Sequence, residues 1–273
     1  MRAVAAFILL LALGACNGAF YQPLPVHLRT PDDIGLQYED LYVTSSDGVR
    51  LHAWWLPGKK PVAGTVLFLH GNAENISTHI GSVYWLPAQG FNVLLLDYRG
   101  YGESQGNPTP TGVQIDAESA LRFLVEERRE NRLVVFGQSL GGAVAIPAVA
   151  QSAYRAHIAA LIVESAFSSY RLIAREKLAS FWPTWPLQYP LSWFVSDAYS
   201  PLKFIARISP IPLLIIHTKE DQVIPVTHAP ILFAAAQEPK QLWIIERAKH
   251  IRAFNNPEWR ARLVAYLEQV LKK

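Results

Sequence analysis

The sequence predicts an α/β protein whose central sheet is mostly parallel and covered by helices on both faces. Three observations carry this. Short apolar runs of strand length recur along the chain, separated by stretches with helical periodicity. These runs are continuously apolar, as strands buried on both faces of a parallel sheet must be. One of them, Leu133 to Phe136, passes through a glycine-rich turn directly into a small-residue helix beginning near Gly142.

The chain has 273 residues, 51% hydrophobic and 17% charged, enough for one large core and too apolar for disorder. Arg2 is followed by an uncharged run of eleven residues, Ala3 to Leu13, and then Gly14, Ala15 and Cys16. That run spans only about 17 Å as a helix, too short to cross a bilayer comfortably, and the pattern is that of a secretory signal peptide over residues 1–15. No other apolar run approaches spanning length. Leu13-Gly14-Ala15-Cys16 resembles a bacterial lipobox, in which the cysteine is acylated and becomes the first mature residue. Cys16 is the only cysteine, so no intrachain disulfide or cysteine metal site can form. The resemblance implies export and a membrane-anchored lipoprotein. Asn17 in place of Asp after the cysteine points to the outer membrane, facing the periplasm. An ordinary signal peptide or an uncleaved anchor are the alternatives. Residues 16–37 contain Pro23, Pro25 and Pro31, lack periodicity and read as a tether.

The folded domain is expected over residues 38–273. Leu41 to Thr44, a turn at Ser46-Asp47-Gly48, and Val49 to Leu56 read as a β-hairpin. Strands follow at Gly64 to Leu69, Phe91 to Leu96, Leu133 to Phe136, Ile158 to Val163, Pro212 to Ile216 and Gln241 to Ile245. Helices are expected over residues 78–89, 111–130, after Gly141, and from about Trp259 to Leu271. No repeat or low-complexity tract interrupts this order. The net charge of +3 comes from scattered Lys and Arg, which implies no nucleic-acid surface. Arg128 and Arg129 are interleaved with Glu126, Glu127 and Glu130, the pattern of a solvated helix face.

Gly137-Gln138-Ser139-Leu140-Gly141 matches G-x-S-x-G, with a strand before it and a helix after it. That context turns the serine hydroxyl out above the sheet as a nucleophile. Such a serine needs a histidine base oriented by an acid, in the chain order Ser, acid, His. His157 precedes a strand and falls at the wrong end of the sheet, His217 ends a strand, and His228 lies on a helix after Pro225. His250 lies in the loop beyond the last strand and is the candidate base. Asp221 lies in the loop after the penultimate strand and is the candidate acid; Glu220 and Glu164 are the alternatives. An oxyanion requires two backbone donors, expected at Leu140 and at Asn72. His70 precedes the nucleophile and reads as structural.

Leu69-His70-Gly71-Asn72-Ala73-Glu74-Asn75, Asp97 to Ser104, Gly137 to Gly141 and Asp221-Gln222-Val223-Ile224-Pro225 follow one another in the order found in the α/β-hydrolase superfamily, which the chain resembles from about Tyr38 onward. The group resembled has an LHGNA-type oxyanion loop and includes protein-depalmitoylating thioesterases. The resemblance implies a Ser139–His250–Asp221 triad, a structural turn at Asp97 to Ser104, and chemistry without metal or organic cofactor. Two departures are His217-Thr218, where the group usually has His-Gly, and Ala248-Lys249-His250, where it often has glycine before the histidine.

Residues 165–211 form an insertion rich in aromatics: Phe181, Trp182, Trp185, Trp193 and Phe194. Such rings suit an apolar acyl substrate, packing of a cap onto the sheet, or contact with a membrane. The expected function is hydrolysis of a carboxylic ester or thioester in a small-molecule or acylated substrate, by a monomer. A peptidase or amidase on the same triad, and a non-catalytic membrane-tethered binding protein, are the rivals.

Overall fold

The computed structural model describes residues 20–272, so the signal-peptide and Cys16 expectations lie outside the described residues. In chain order the strands are β1 (Gln22–Pro23), β2 (Glu39–Thr44), β3 (Arg50–Leu56), β4 (Gly64–Leu69), β5 (Ala73–Glu74), β6 (Phe91–Leu96), β7 (Leu133–Gln138), β8 (Ile158–Glu164), β9 (Leu213–Thr218) and β10 (Lys240–Ile245). The helices are α1 (Ile76–His79), α2 (Pro110–Arg122), α3 (Leu140–Gln151), α4 (Tyr170–Ser180), α5 (Gln188–Trp193), α6 (His228–Ala235) and α7 (Pro257–Leu271), with short 3-10 turns between them.

Eight strands form one sheet in the order β10-β9-β8-β7-β4-β6-β3-β2. The pairs from β10 to β6 are parallel, whereas β2–β3 and β3–β6 are antiparallel. The expected fold class therefore holds. Every residue of β4, β6, β7 and β9 is buried, because helices cover both faces and each face carries its own apolar layer. One layer joins Leu67, Leu94, Val135 and Leu161 to α2 and α3. The other joins Phe68, Leu95, Phe136 and Ile162 to α7.

Three expectations need correction. The segment 78–89 is not one helix: α1 ends at His79, and only 3-10 turns follow at 80–82 and 87–89. Gly81 and Pro87 interrupt the helical hydrogen-bond ladder. The helix of 111–130 is regular only to Arg122; residues 123–127 widen into a π turn.

The third correction concerns the tether. Residues 20–37 are not loose but packed onto the domain. Their prolines exclude them from the main sheet without making them mobile. β1 pairs with β5, Tyr21 and Pro31 are buried, and the Asn75 amide donates to the carbonyls of Leu24 and Val26 at 2.9 and 2.8 Å. His27 reaches the buried carboxylate of Asp97 at 2.8 Å. His52 lies between that carboxylate, at 3.4 Å, and Asp40, at 2.6 Å. His27, His52 and Asp97 are the one group of metal-capable side chains among the described residues. Gly102 fills the adjoining space: a Cβ there would lie 2.0 Å from Asp97 Oδ2 and 2.4 Å from His27 Nε2. The cluster is a hydrogen-bonded clamp for the N-terminal segment.

Candidate active site

The candidate residues all follow the C-terminal ends of parallel strands. Asn72 follows β4, Ser139 follows β7, Asp221 follows β9 and His250 follows β10. A parallel sheet gathers the loops at those ends along one edge, where open α/β sheets place their sites. The turn at Ser139 is tight: the serine has φ +54° and ψ −116°. The two flanking glycines are sterically required. A Cβ on Gly141 would lie 2.0 Å from the Leu69 carbonyl oxygen, and one on Gly137 would lie 2.4 Å from the Gly141 carbonyl oxygen. Strain at Ser139 is held by packing of the α3 N-terminus against β4.

His250 Nε2 lies 3.0 Å from Ser139 Oγ, and His250 Nδ1 lies 2.7 Å from Asp221 Oδ2. The other Asp221 oxygen accepts backbone N–H bonds from Val223 and Ile224 at 2.9 and 2.8 Å. Burial pushes the Asp221 carboxyl up, but the His250 bond and charge outweigh it and hold the group below its ordinary value. The acid is thus kept ionised and fixed in orientation.

The alternatives are occupied elsewhere. Glu164 is buried, accepts from Gln138 at 2.6 Å and from Ala253 N–H at 3.1 Å, and is pushed up to about 7 by burial. Glu220 is exposed. His217 is fully buried beneath the acid loop, 3.0 Å from the Ile224 carbonyl oxygen. His228 accepts the Ser168 N–H and pairs with Glu176 at 2.9 Å, tying α6 to α4. His157 precedes β8, at the opposite end of the sheet from Ser139. His70 is packed against Tyr98 and Tyr101, with Nδ1 2.7 Å from the Gly71 carbonyl oxygen, in the structural role expected.

A cavity of about 260 Å³ opens at the serine, lined by Phe20, Gln22, Asn72, Leu140, Phe167, Ile173, Lys177, Val223 and Ile224 as well as Ser139 itself. The Asn72 side chain accepts the Gln22 N–H at 3.0 Å. Among the described residues neither the Asn72 nor the Leu140 backbone N–H donates to a protein acceptor, so both are free for a ligand oxygen. The walls include residues the sequence reading missed: Phe20 and Gln22 of the N-terminal segment, and Phe167, Ile173 and Lys177 of the insertion. The one local hint was the aromatic pair Phe20-Tyr21, which is out of character for a solvated linker.

A mostly parallel sheet carrying this serine, histidine and aspartate at its C-terminal edge defines an α/β-hydrolase-fold serine hydrolase. The chain belongs to the family described as serine aminopeptidase S33, whose model matches residues 60–204. That span contains Ser139 and Asn72 but ends before Asp221 and His250. The YfhR protein of Escherichia coli O157:H7 is 39% identical over 224 residues, covering 80% of this chain and 75% of that protein. The α/β-hydrolase domain-containing protein WAV2 of Arabidopsis thaliana is 36% identical over 231 residues, covering 77% of this chain and 71% of that protein. In fold, the chain is similar to an esterase of Pyrococcus furiosus, with TM-score 0.74 and 24% identity over 92% of this chain and 97% of that one.

Proposed function

We propose that this chain hydrolyses carboxylic ester or thioester bonds of apolar acyl substrates through an acyl-enzyme on Ser139. One observation carries the reading: Ser139 Oγ, His250 and Asp221 are joined by contacts of 3.0 and 2.7 Å, with Ser139 lining a largely apolar cavity. The Ser139 proton passes to His250 Nε2 as Oγ attacks the acyl carbon. Asp221 accepts the Nδ1–H and steadies the imidazolium. The backbone N–H groups of Asn72 and Leu140 receive the oxyanion. Collapse expels an alcohol or thiol, which takes the proton from His250. Water then attacks the acyl-enzyme with His250 again as base, and His250 returns that proton to Ser139 Oγ as the Oγ–acyl bond breaks and the carboxylic acid leaves.

The family model's name raises the peptidase reading. An aminopeptidase must hold a free ammonium, which calls for a carboxylate. Among the described residues the cavity wall instead presents Lys177 and no carboxylate, which favours acyl groups over peptide N-termini. A p-nitrophenyl ester series of increasing chain length, run beside amino-acid anilides, tests this. Esters are expected to be cleaved and anilides not; the reverse would overturn the acyl reading. Ser139→Ala is expected to lose about 10³-fold or more in kcat/KM and all fluorophosphonate labelling. Retention of either would remove Ser139 from the mechanism.

The lipobox-like sequence ending at Cys16 supports an exported, lipid-anchored form of the protein. Intact mass of the mature N-terminus tests it: a diacylated or triacylated Cys16 is expected, and an unmodified N-terminus elsewhere would refute it.

A further inference from the structure

We propose that the aromatic insertion is a bilayer-docking surface that presents the Ser139 cavity to amphiphiles held in a membrane. This rests on the acyl-hydrolase reading above. Residues 178–196 contain no charged side chain. Within them Trp182 is 84% exposed, Trp193 75% and Trp185 61%, with Phe181, Leu187, Tyr189, Leu191 and Phe194 also exposed. Eight large apolar side chains in a fourteen-residue stretch form one concentrated patch, whereas single exposed hydrophobics are ordinary. The stretch is split into a 3-10 turn at Trp185–Leu187, which starts just after Pro183, and the short helix α5, which carries Pro190, and its rings are exposed rather than aligned into a core-facing stripe. Packing of these rings onto the sheet is therefore not what the insertion does. They do not line the Ser139 cavity either.

The occupant follows from ring chemistry and from where the chain leads. Tryptophan and tyrosine, with an apolar body and one polar edge, partition to the bilayer interface. Helix α4 carries both the cavity wall, through Ile173 and Lys177, and at its C-terminal end the aromatic stretch. At its N-terminal end Tyr170 packs edge-on against Phe20, with ring centroids 5.1 Å apart. Cys16 lies four residues before Phe20, a reach of at most about 14 Å. A lipid on Cys16 would hold the bilayer within reach of the helix from which the tryptophans project. Arg171 and Arg175 line one groove with Tyr189, Trp193 and Asp197, and α4 as a whole, with Arg171, Arg175 and Lys177 against Glu176, is net positive beside the patch, suited to anionic headgroups.

The tryptophans provide their own probe. Of eight in the chain, Trp54, Trp55, Trp85 and Trp243 are buried and Trp259 is half-buried. Full-length protein is mixed with phosphatidylethanolamine–phosphatidylglycerol vesicles carrying brominated acyl chains. Quenching of roughly a third of the emission is expected for the wild type, and its loss in W182S/W185S/W193S. Single W182S, at the most exposed position, is expected to lose part of it. Hydrolysis of p-nitrophenyl acetate in solution should stay within twofold in both variants. Hydrolysis of 4-methylumbelliferyl palmitate held in the vesicles should fall at least tenfold in the triple variant. Absence of quenching in the wild type, or equal quenching in wild type and triple variant, would overturn the proposal. So would a concentration-dependent dimer that forms without vesicles and is abolished by the triple variant, because the patch would then belong to a second copy. Absence of p-nitrophenyl acetate hydrolysis in all proteins would refute the hydrolase reading alone and leave the quenching result standing.

Discussion

At the scale of the residue, the site is defined by what surrounds three side chains. Asp221 is ionised because His250 and two backbone N–H groups oppose the effect of burial. Asp221→Asn keeps the shape but reverses the hydrogen-bond polarity toward His250 Nδ1, so the imidazole loses its working tautomer. A fall of about 10²–10⁴-fold in kcat with little change in KM is expected in steady-state assays; a purely structural aspartate would lower stability and leave kcat of the folded fraction intact. Glu164 shows the opposite electrostatics. Burial raises its carboxyl from 4.5 to about 7, so the unfolded chain loses that proton at lower pH than the native one. Its effect on stability is therefore nil below pH 4.5 and grows more unfavourable as pH rises toward 7. Glu164→Gln removes this and pairs with Gln138, whose Oε1 has no partner. The variant is expected to be more stable at pH 8, by roughly 3 kcal/mol at most, and nearly neutral at pH 4.5. Denaturant unfolding at the two pH values checks the difference.

At the scale of the element, the N-terminal segment is the part of the molecule that pattern reading misjudged. Its prolines remove backbone donors and its hydrophobics have no period, so nothing local distinguishes a docked strap from a linker. Docking depends on partners 49 to 70 residues away: Asn75 for Leu24, Ser77 for Leu28 and Asp97 for His27. The strands and the Ser139 turn were legible because buried parallel strands are continuously apolar and because Gly137 and Gly141 are sterically obligatory. Asp221 and His250 were legible from chain order and loop position. The cavity walls were not, since Phe20, Phe167, Ile173 and Val223 converge only in three dimensions. The strap's contribution can be measured. His27→Ala deletes its bond to Asp97, at a cost of about 1–3 kcal/mol. It should also loosen Phe20 and Gln22 at the cavity. KM for longer p-nitrophenyl esters is expected to rise roughly 3- to 10-fold with kcat less affected, and proteolysis within residues 20–30 to accelerate. An unchanged KM with faster proteolysis would show that the strap does not shape the acyl site.

At the scale of the whole molecule, opposing buried groups set the response to pH. Burial holds His70 at about 4 and holds His217 below its ordinary value. Both remain neutral in the native protein at pH values where the unfolded chain protonates them. The unfolded state then binds more protons, so stability falls as pH drops from about 6.5 toward 4. Asp97 adds to this. Burial pushes its carboxyl up, but hydrogen bonds from His27 and His52 outweigh that and lower it. Its contribution is present above the unfolded value near 3.8 and is lost as pH falls through the lower native one. Glu164 acts in the other direction between 4.5 and 7, offsetting much of the His70 effect. His52 is depressed by burial but raised overall by Asp97 and Asp40, so its contribution is present below 6.5 and lost as pH rises through its native value. The sum is a stability maximum near neutrality with a steeper acid side. Thermal midpoints at pH 4, 5, 6, 7 and 8 are expected to peak close to pH 7 and to fall most sharply below pH 5. In Glu164→Gln the offset is gone, so the fall from pH 7 to pH 5 should be steeper than in the wild type, by up to about 1.4 kcal/mol per pH unit. A wild-type profile that is flat from pH 4 to 7, or a variant profile parallel to it, would show that these buried groups do not titrate as their surroundings require.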